Sequence, residues 1–180
     1  MNNITYILSQ VFIIISYILL VFTYQVKERK TILILNFISL IAVGLSYLFL
    51  SAYSGLAMVF VQMIRNTIFI IDEKKNGKSK KNTTKDYIIL AVLFVISIVF
   101  AVLTYDGILS MLPVAATMLY TYSVWQKNTK VYKLLGIPIE IIWIIYNIYI
   151  FSLFGMILEP IVAISTVVGY IREIKNKNKK

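Results

Sequence analysis

The chain has no cysteine and no histidine. Without thiolate or imidazole, disulfides and Cys/His metal sites are excluded, as are Ser-His and Cys-His nucleophile pairs. No metal and no cofactor is expected. No G-x-x-x-x-G-K-[ST] occurs, so nothing points to a nucleotide-phosphate loop. Charge is scarce as well. Only 14% of the 180 residues are charged and 59% are apolar, whereas soluble domains run at about 25% charged and roughly 45–50% apolar. A soluble fold is the wrong class, and a single membrane domain is the natural one. The opening Met1-Asn2-Asn3 lacks the basic stretch and small-residue cleavage site of a secretory signal, so the first apolar run is expected to stay on the protein.

What the chain does have is seven apolar runs. A spanning helix needs about 20 apolar residues. Candidate spans are 4–24, 31–50, 56–71, 87–104, 108–125, 131–150 and 156–171. Between them lie a basic turn at 25–30, a Gly-ended turn at 51–55, and a polar loop at 72–86 with six Lys. Turns at 105–107, 126–130 and 151–155 follow, and then a basic tail from Arg172 to Lys180. The fold class is all-α.

The net charge of +10 invites a nucleic-acid reading, but a nucleic-acid binder spreads cations along a phosphate-tracking surface. Here the cations, Arg65 aside, lie in or beside the segments that follow the first, third, fifth and seventh spans. The other connections hold none. The positive-inside rule then puts the N-terminus outside and the C-terminus in the cytoplasm. The Lys-rich loop and tail can also attract anionic lipid.

An internal repeat appears at an offset of one hundred residues. Lys27, Lys30, Leu35 and Gly55 match Lys127, Lys130, Leu135 and Gly155, and Glu73, Lys75 and Asn76 match Glu173, Lys175 and Asn176. A three-helix unit that starts outside ends inside, so one extra helix must bring the chain back before the unit is copied. The fourth span does that, and its one polar interior residue is Ser97. This gives a 3+1+3 arrangement of parallel repeats. The first unit is 1–71, the loop and linker helix are 72–107, and the second unit with its tail is 108–180. In transporters built this way the solute site lies near the midplane, between the halves.

Polar residues recur inside the spans at helical spacing. Asn36, Ser39 and Ser46 share a face of the second span, and Gln62, Arg65 and Asn66 cluster on the third. Thr117, Tyr120 and Thr121 mark the fifth, Glu140, Trp143 and Asn147 the sixth, and Glu159, Ser165 and Thr166 the seventh. Facing lipid, such groups leave hydrogen bonds unmade, and a charge at the bilayer centre costs at least about 2.5–3.5 kcal/mol. They are therefore expected to face the bundle interior. Gln62, Asn147, Trp143, Asn36 and Thr117 are the candidate solute contacts. Arg65, Glu140 and Glu159 are the intramembrane charges, with Glu140 expected to pair with Arg65 or to carry a coupling proton. Arg65 either snorkels to the cytoplasmic boundary or belongs to the site. Pro113 is the expected kink and hinge. Tyr24, Tyr53 and Trp125 are read as interface belt.

Several segments resemble the YgjV-like bacterial inner membrane proteins. They are Leu8-Ser9-Gln10, Lys27-Glu28-Arg29, Tyr53-Ser54-Gly55 and Gln62-Met63-Ile64-Arg65, and later Leu112-Pro113-Val114 with Thr117, Trp143, Asn147, Gly155, Glu159, Gly169 and Arg172. The resemblance spans nearly the whole chain apart from the fourth span and the tail. That family is similar to the wider SWEET, PQ-loop and PnuC-type group, whose implied fold is the same 3+1+3 arrangement and whose implied function is movement of small solutes. The proline-glutamine pair of PQ-loop members is missing.

The expectation is a facilitative transporter of a small neutral polar solute (a sugar, nucleoside or vitamin precursor) in the bacterial inner membrane, as a monomer or homo-oligomer. The alternative is a non-transporting structural or accessory membrane protein. A retinal sensor needs a Lys in the seventh span, and 156–171 has none. An intramembrane enzyme needs paired acids or an activated nucleophile; Glu140 and Glu159, on different spans, are the one available pair, and no enzyme activity is expected.

Overall fold

The structure is a computed structural model, and it describes residues 3–76 and 82–177. Residues 77–81 of the basic loop and 178–180 of the tail lie outside the described residues. So do the side chains at 75, 76, 176 and 177, which carry part of the repeat's second matching motif.

Among the described residues there are seven α-helices and no strand. They are α1 (Asn3–Gln25), α2 (Arg29–Phe49), α3 (Tyr53–Asn76), α4 (Thr84–Leu103), α5 (Leu112–Trp125), α6 (Thr129–Tyr149) and α7 (Leu153–Lys177). A 3-10 turn, Ile108–Met111, leads into α5 and brings that segment to spanning length. All seven are long and apolar enough to cross a membrane.

Polar and apolar side chains share the interior, where Ser16, Asn66 and Thr117 are as buried as Ile13, Leu33 and Phe69, while Val92, Val95, Ile98, Val99 and Val102 of α4 stand exposed. Apolar side chains lose nothing by facing lipid, whereas backbone and side-chain polar groups must be satisfied inside. Ser97 of α4 follows that rule: it is buried and donates to the Leu93 carbonyl at 2.8 Å.

Six helices close a ring in the order α1, α2, α3, α5, α6, α7 and back to α1. The seventh, α4, packs outside it against α3 and α5. Helices α2 and α6 begin and end one hundred positions apart, and α3 and α7 begin so. Their stops are alike too. Ser51 and Phe151 take left-handed φ values of 56° and 53°. The next N–H in each case reaches back six-to-one, Ala52 to the Tyr47 carbonyl at 2.9 Å and Ser152 to that of Asn147 at 3.0 Å. That is a Schellman stop built without glycine.

The glycines expected to make those turns do something else. Gly55 and Gly155 lie in the first turns of α3 and α7. A Cβ on Gly55 would stand 2.8 Å from the Tyr146 hydroxyl, and one on Gly155 would run into Asn147 and Ser152. They are contact glycines, not turn glycines. Pro113 falls in the first turn of α5, where a missing N–H breaks no helical bond, so it kinks no helix. The prolines inside helices are Pro138 of α6 and Pro160 of α7.

The end that carries the basic turns is tied by ion pairs. Arg29 pairs with Glu73, Lys127 with Asp86 at 3.0 Å and Asp72 at 3.5 Å, and Lys133 with Glu173 at 3.2 Å. These link α2 to α3, the α5–α6 turn to α4 and α3, and α6 to α7. Among the described residues the opposite end has no Lys or Arg, and the Tyr47, Trp143 and Tyr146 rings pack together there.

Candidate functional site

A cavity of about 50 Å³ lies within the ring, with walls from all six of its helices. By the same measure a water needs roughly 10–15 Å³, so the cavity has room for a few waters. Five pairs of its wall residues are one hundred positions apart: Leu20 and Tyr120, Ser39 and Ile139, Leu40 and Glu140, Val43 and Trp143, Val59 and Glu159.

One side of the cavity is organised by Arg65. This guanidinium is 0% exposed, so it does not snorkel. Its Nε and Nη2 donate to Asn66 Oδ1 at 3.0 and 2.9 Å, and longer contacts of 3.4 Å reach Asn36 Oδ1 and Thr121 Oγ1. Its central carbon stands 4.4 Å from the centre of the Tyr120 ring, a distance for cation–π attraction. Asn66 Nδ2 donates to Asn36 Oδ1 at 2.6 Å, and Gln62 Nε2 to Thr117 Oγ1 at 3.1 Å. Among the described residues no carboxylate pairs with Arg65, whose hydrogen bonds go to side-chain oxygens of Asn and Thr.

The acids sit on the α6–α7 side. Glu140 accepts from the Tyr24 hydroxyl, and it lines the cavity together with Glu159. Asn147 Nδ2 donates to the Tyr17 hydroxyl at 3.0 Å and reaches Glu159 at 3.5 Å. Both acids are adjacent to or near a helix-interior proline, Glu159 one residue before Pro160 and Glu140 two after Pro138. Each proline removes an i→i−4 bond and loosens the helix locally.

The expected Glu140–Arg65 pair is therefore not formed. In the ring, α3 packs between α2 and α5, and α6 between α5 and α7, so each charge finds partners on its own flank. Tyr24 is not a belt residue. It is fully buried, stacked on Tyr132 at 5.2 Å, and bonded to Glu140. Trp125 is buried as well, donating to the Asp86 carbonyl at 3.0 Å, whereas Tyr53 is exposed. Sequence reasoning also missed Tyr132, whose hydroxyl is 3.0 Å from that of Tyr120, and the two interior prolines. Their one signal was the scarcity of proline, three in 180 residues.

Of the candidate solute contacts, Gln62, Trp143 and Asn36 line the cavity. Thr117 stands behind Gln62, and Asn147 behind Tyr17 and Glu159. Of the three intramembrane charges, Glu140 and Glu159 line it, while Arg65 stands behind Asn36, Gln62 and Tyr120.

At the cation-free end a second cavity of about 590 Å³ is walled by Ser51, Tyr53, Ser54, Thr104, Asp106 and Tyr146, among others. Tyr146 is held there by the Gly55 N–H at 2.9 Å and by Ser54 at 3.0 Å. Its ring packs against Tyr47 and Trp143, centroids 5.8 and 5.7 Å away. Those two rings line the inner cavity, so an aromatic trio separates the two spaces.

No curated protein and no solved structure matches the chain. A family of bacterial inner membrane proteins, the YgjV family, matches residues 7–177. That match covers every helix of the ring and its outer helix, so the chain belongs to this family of multi-pass bacterial inner membrane proteins.

Proposed function

We propose that the protein is a transporter that moves a small polar solute through the six-helix ring by alternating access. The two moving bodies are α1–α3 and α5–α7, with α4 as the linker of a 3+1+3 arrangement. The observation that carries this reading is a cavity within the ring lined by amides, hydroxyls and carboxyls from all six ring helices. A structural or accessory protein gains nothing from such an interior, because buried polar groups in a membrane are costly and are kept for function. In support, wall residues recur one hundred positions apart, as two bodies facing each other across a site require. With the basic end cytoplasmic, the larger cavity is an outer vestibule, the Tyr47, Trp143 and Tyr146 rings are the outer gate, and the ion pairs are the inner one. Pro138 and Pro160, together with the α5 start at Pro113, are the flexing points.

The test is counterflow into proteoliposomes with pooled radiolabelled sugars, nucleosides, vitamin precursors and amino acids. Exchange of one pool by the unmodified protein, lost in a folded Gln62→Ala, Trp143→Ala variant, supports transport. No exchange from any pool, with the protein shown to be folded, leaves the accessory role in its place.

A further inference from the structure

The ring holds two kinds of charge that do not touch. Arg65 supplies a buried cation on the α2–α3–α5 side with no carboxylate against it. Glu140 and Glu159 both line the cavity on the α1–α6–α7 side, and among the described residues their hydrogen-bond partners are Tyr24 and Asn147, with no Lys or Arg. Tyr120 has its ring centre 4.4 Å from the Arg65 guanidinium carbon and lines the same cavity as Glu140. Opposite charges held apart in a low-dielectric interior are stabilised far less than a contacting pair, and each keeps most of its desolvation cost. Asn36, Gln62 and Tyr120 stand between Arg65 and the cavity, whereas Glu140 and Glu159 line it directly. The empty space between them is the cavity.

We infer that the solute is a small zwitterion bearing one carboxylate and one ammonium, of the amino-acid class. This rests on the transport reading above and names the solute for that same site. The carboxylate lies toward Arg65 through the Asn36 and Gln62 amides. The ammonium lies toward the Glu140–Glu159 pair, with the Trp143 and Tyr47 faces beside it for cation–π contact. Such a molecule sets its own dipole against that of the ring and remains neutral overall, as membrane passage favours. Size agrees: space for a few waters matches the handful of heavy atoms in a small amino acid better than a hexose or a nucleoside. Gly136 supports the acid side, since a Cβ there would stand 2.8 Å from the Tyr24 ring that delivers its hydroxyl to Glu140.

The experiment compares ligands on the unmodified protein, so that no variant need fold. Purified protein in detergent is melted with alanine, alaninamide (no carboxylate), propionate (no ammonium), glucose and uridine, and counterflow is run with the same set. Alanine is expected to raise the Tm and to exchange. Each one-charge analogue is expected to bind at least about tenfold more weakly, since hydrogen bonds to charged groups are worth roughly 1.5–3 kcal/mol. Arg65→Gln, checked for folding by its elution as a single species, is expected to lose alanine and keep no preference for the carboxylate. Exchange of glucose or uridine without alanine overturns the zwitterion and leaves transport standing. Alanine binding without exchange keeps the site and overturns transport. Equal binding of alanine and alaninamide overturns the role given to Arg65. Neither binding nor exchange of any compound overturns both.

Discussion

The two halves of the ring agree in backbone and disagree in chemistry. Helices α2 and α6 start and stop one hundred positions apart, with the same left-handed stop at Ser51 and Phe151. Yet at matching positions Glu140 faces the cavity where the first half has Leu40, and Glu159 where it has Val59. Arg65 corresponds to Ser165, which is spent on a bond to the Val21 carbonyl and on Gln25. The difference teaches that helix ends are held by local rules, hydrogen-bond closure and apolar run length, which both halves obey. The inner surfaces follow no such rule and have become unlike, one cationic and one acidic. A site for a single asymmetric molecule needs that inequality.

The largest break in the comparison is expected at positions 69 and 169. Phe69 is buried, but a Cβ on Gly169 would run into the Tyr24 carbonyl. Gly169→Leu forces α1 and α7 apart and is expected to cost about 3 kcal/mol. Phe69→Leu, a shrinkage within the core, is expected to cost about 1 kcal/mol. Reversible unfolding in mixed micelles reads both, and equal losses contradict the close α1–α7 approach.

A middle-sized effect is expected where the acids differ from their twins. Glu140→Leu copies position 40 and strands the Tyr24 hydroxyl, at about 1–3 kcal/mol for a buried group without a partner. Adding Tyr24→Phe removes the stranded group, so the double variant is expected to recover part of the loss in a double-mutant cycle. Additive losses mean that the bond contributes nothing.

How much of this was legible in the sequence follows from the same contrast. The seven spans could be read because apolar run length is a property of one segment at a time. The buried state of Asn36, Gln62 and Asn147 could be read because lipid forbids the alternative. Pairing could not. Spacing along α6 gives the depth of Glu140 but not that its neighbour is α7, so it bonds Tyr24 and shares the cavity wall with Glu159 instead of pairing with Arg65. Tyr24 misled because an apolar ring with a polar tip suits a membrane interface and a buried carboxyl equally well. Gly55 and Gly155 misled because a glycine near a helix end usually signals a stop, whereas here non-glycine residues four positions earlier supply it.

That last point gives the smallest prediction. Left-handed φ costs a non-glycine residue roughly 1–2 kcal/mol, and glycine gives back part of this as added chain entropy. Ser51→Gly and Phe151→Gly are therefore each expected to stabilise by about 0.5–1 kcal/mol. Equal gains, read by the same unfolding assay, sharpen the likeness of the two stops. A gain at one and a loss at the other breaks it.

The central claim, a ring cavity reached in turn from each side of the membrane, is tested most directly by one thiol. The chain has no cysteine, so Val43→Cys places a single reactive group on the cavity wall. Membrane-impermeant maleimide is applied to right-side-out and inside-out vesicles, with and without alanine. The account predicts labelling from both sides and slower labelling when alanine is present. Labelling from one side alone under every condition, or from neither, contradicts it.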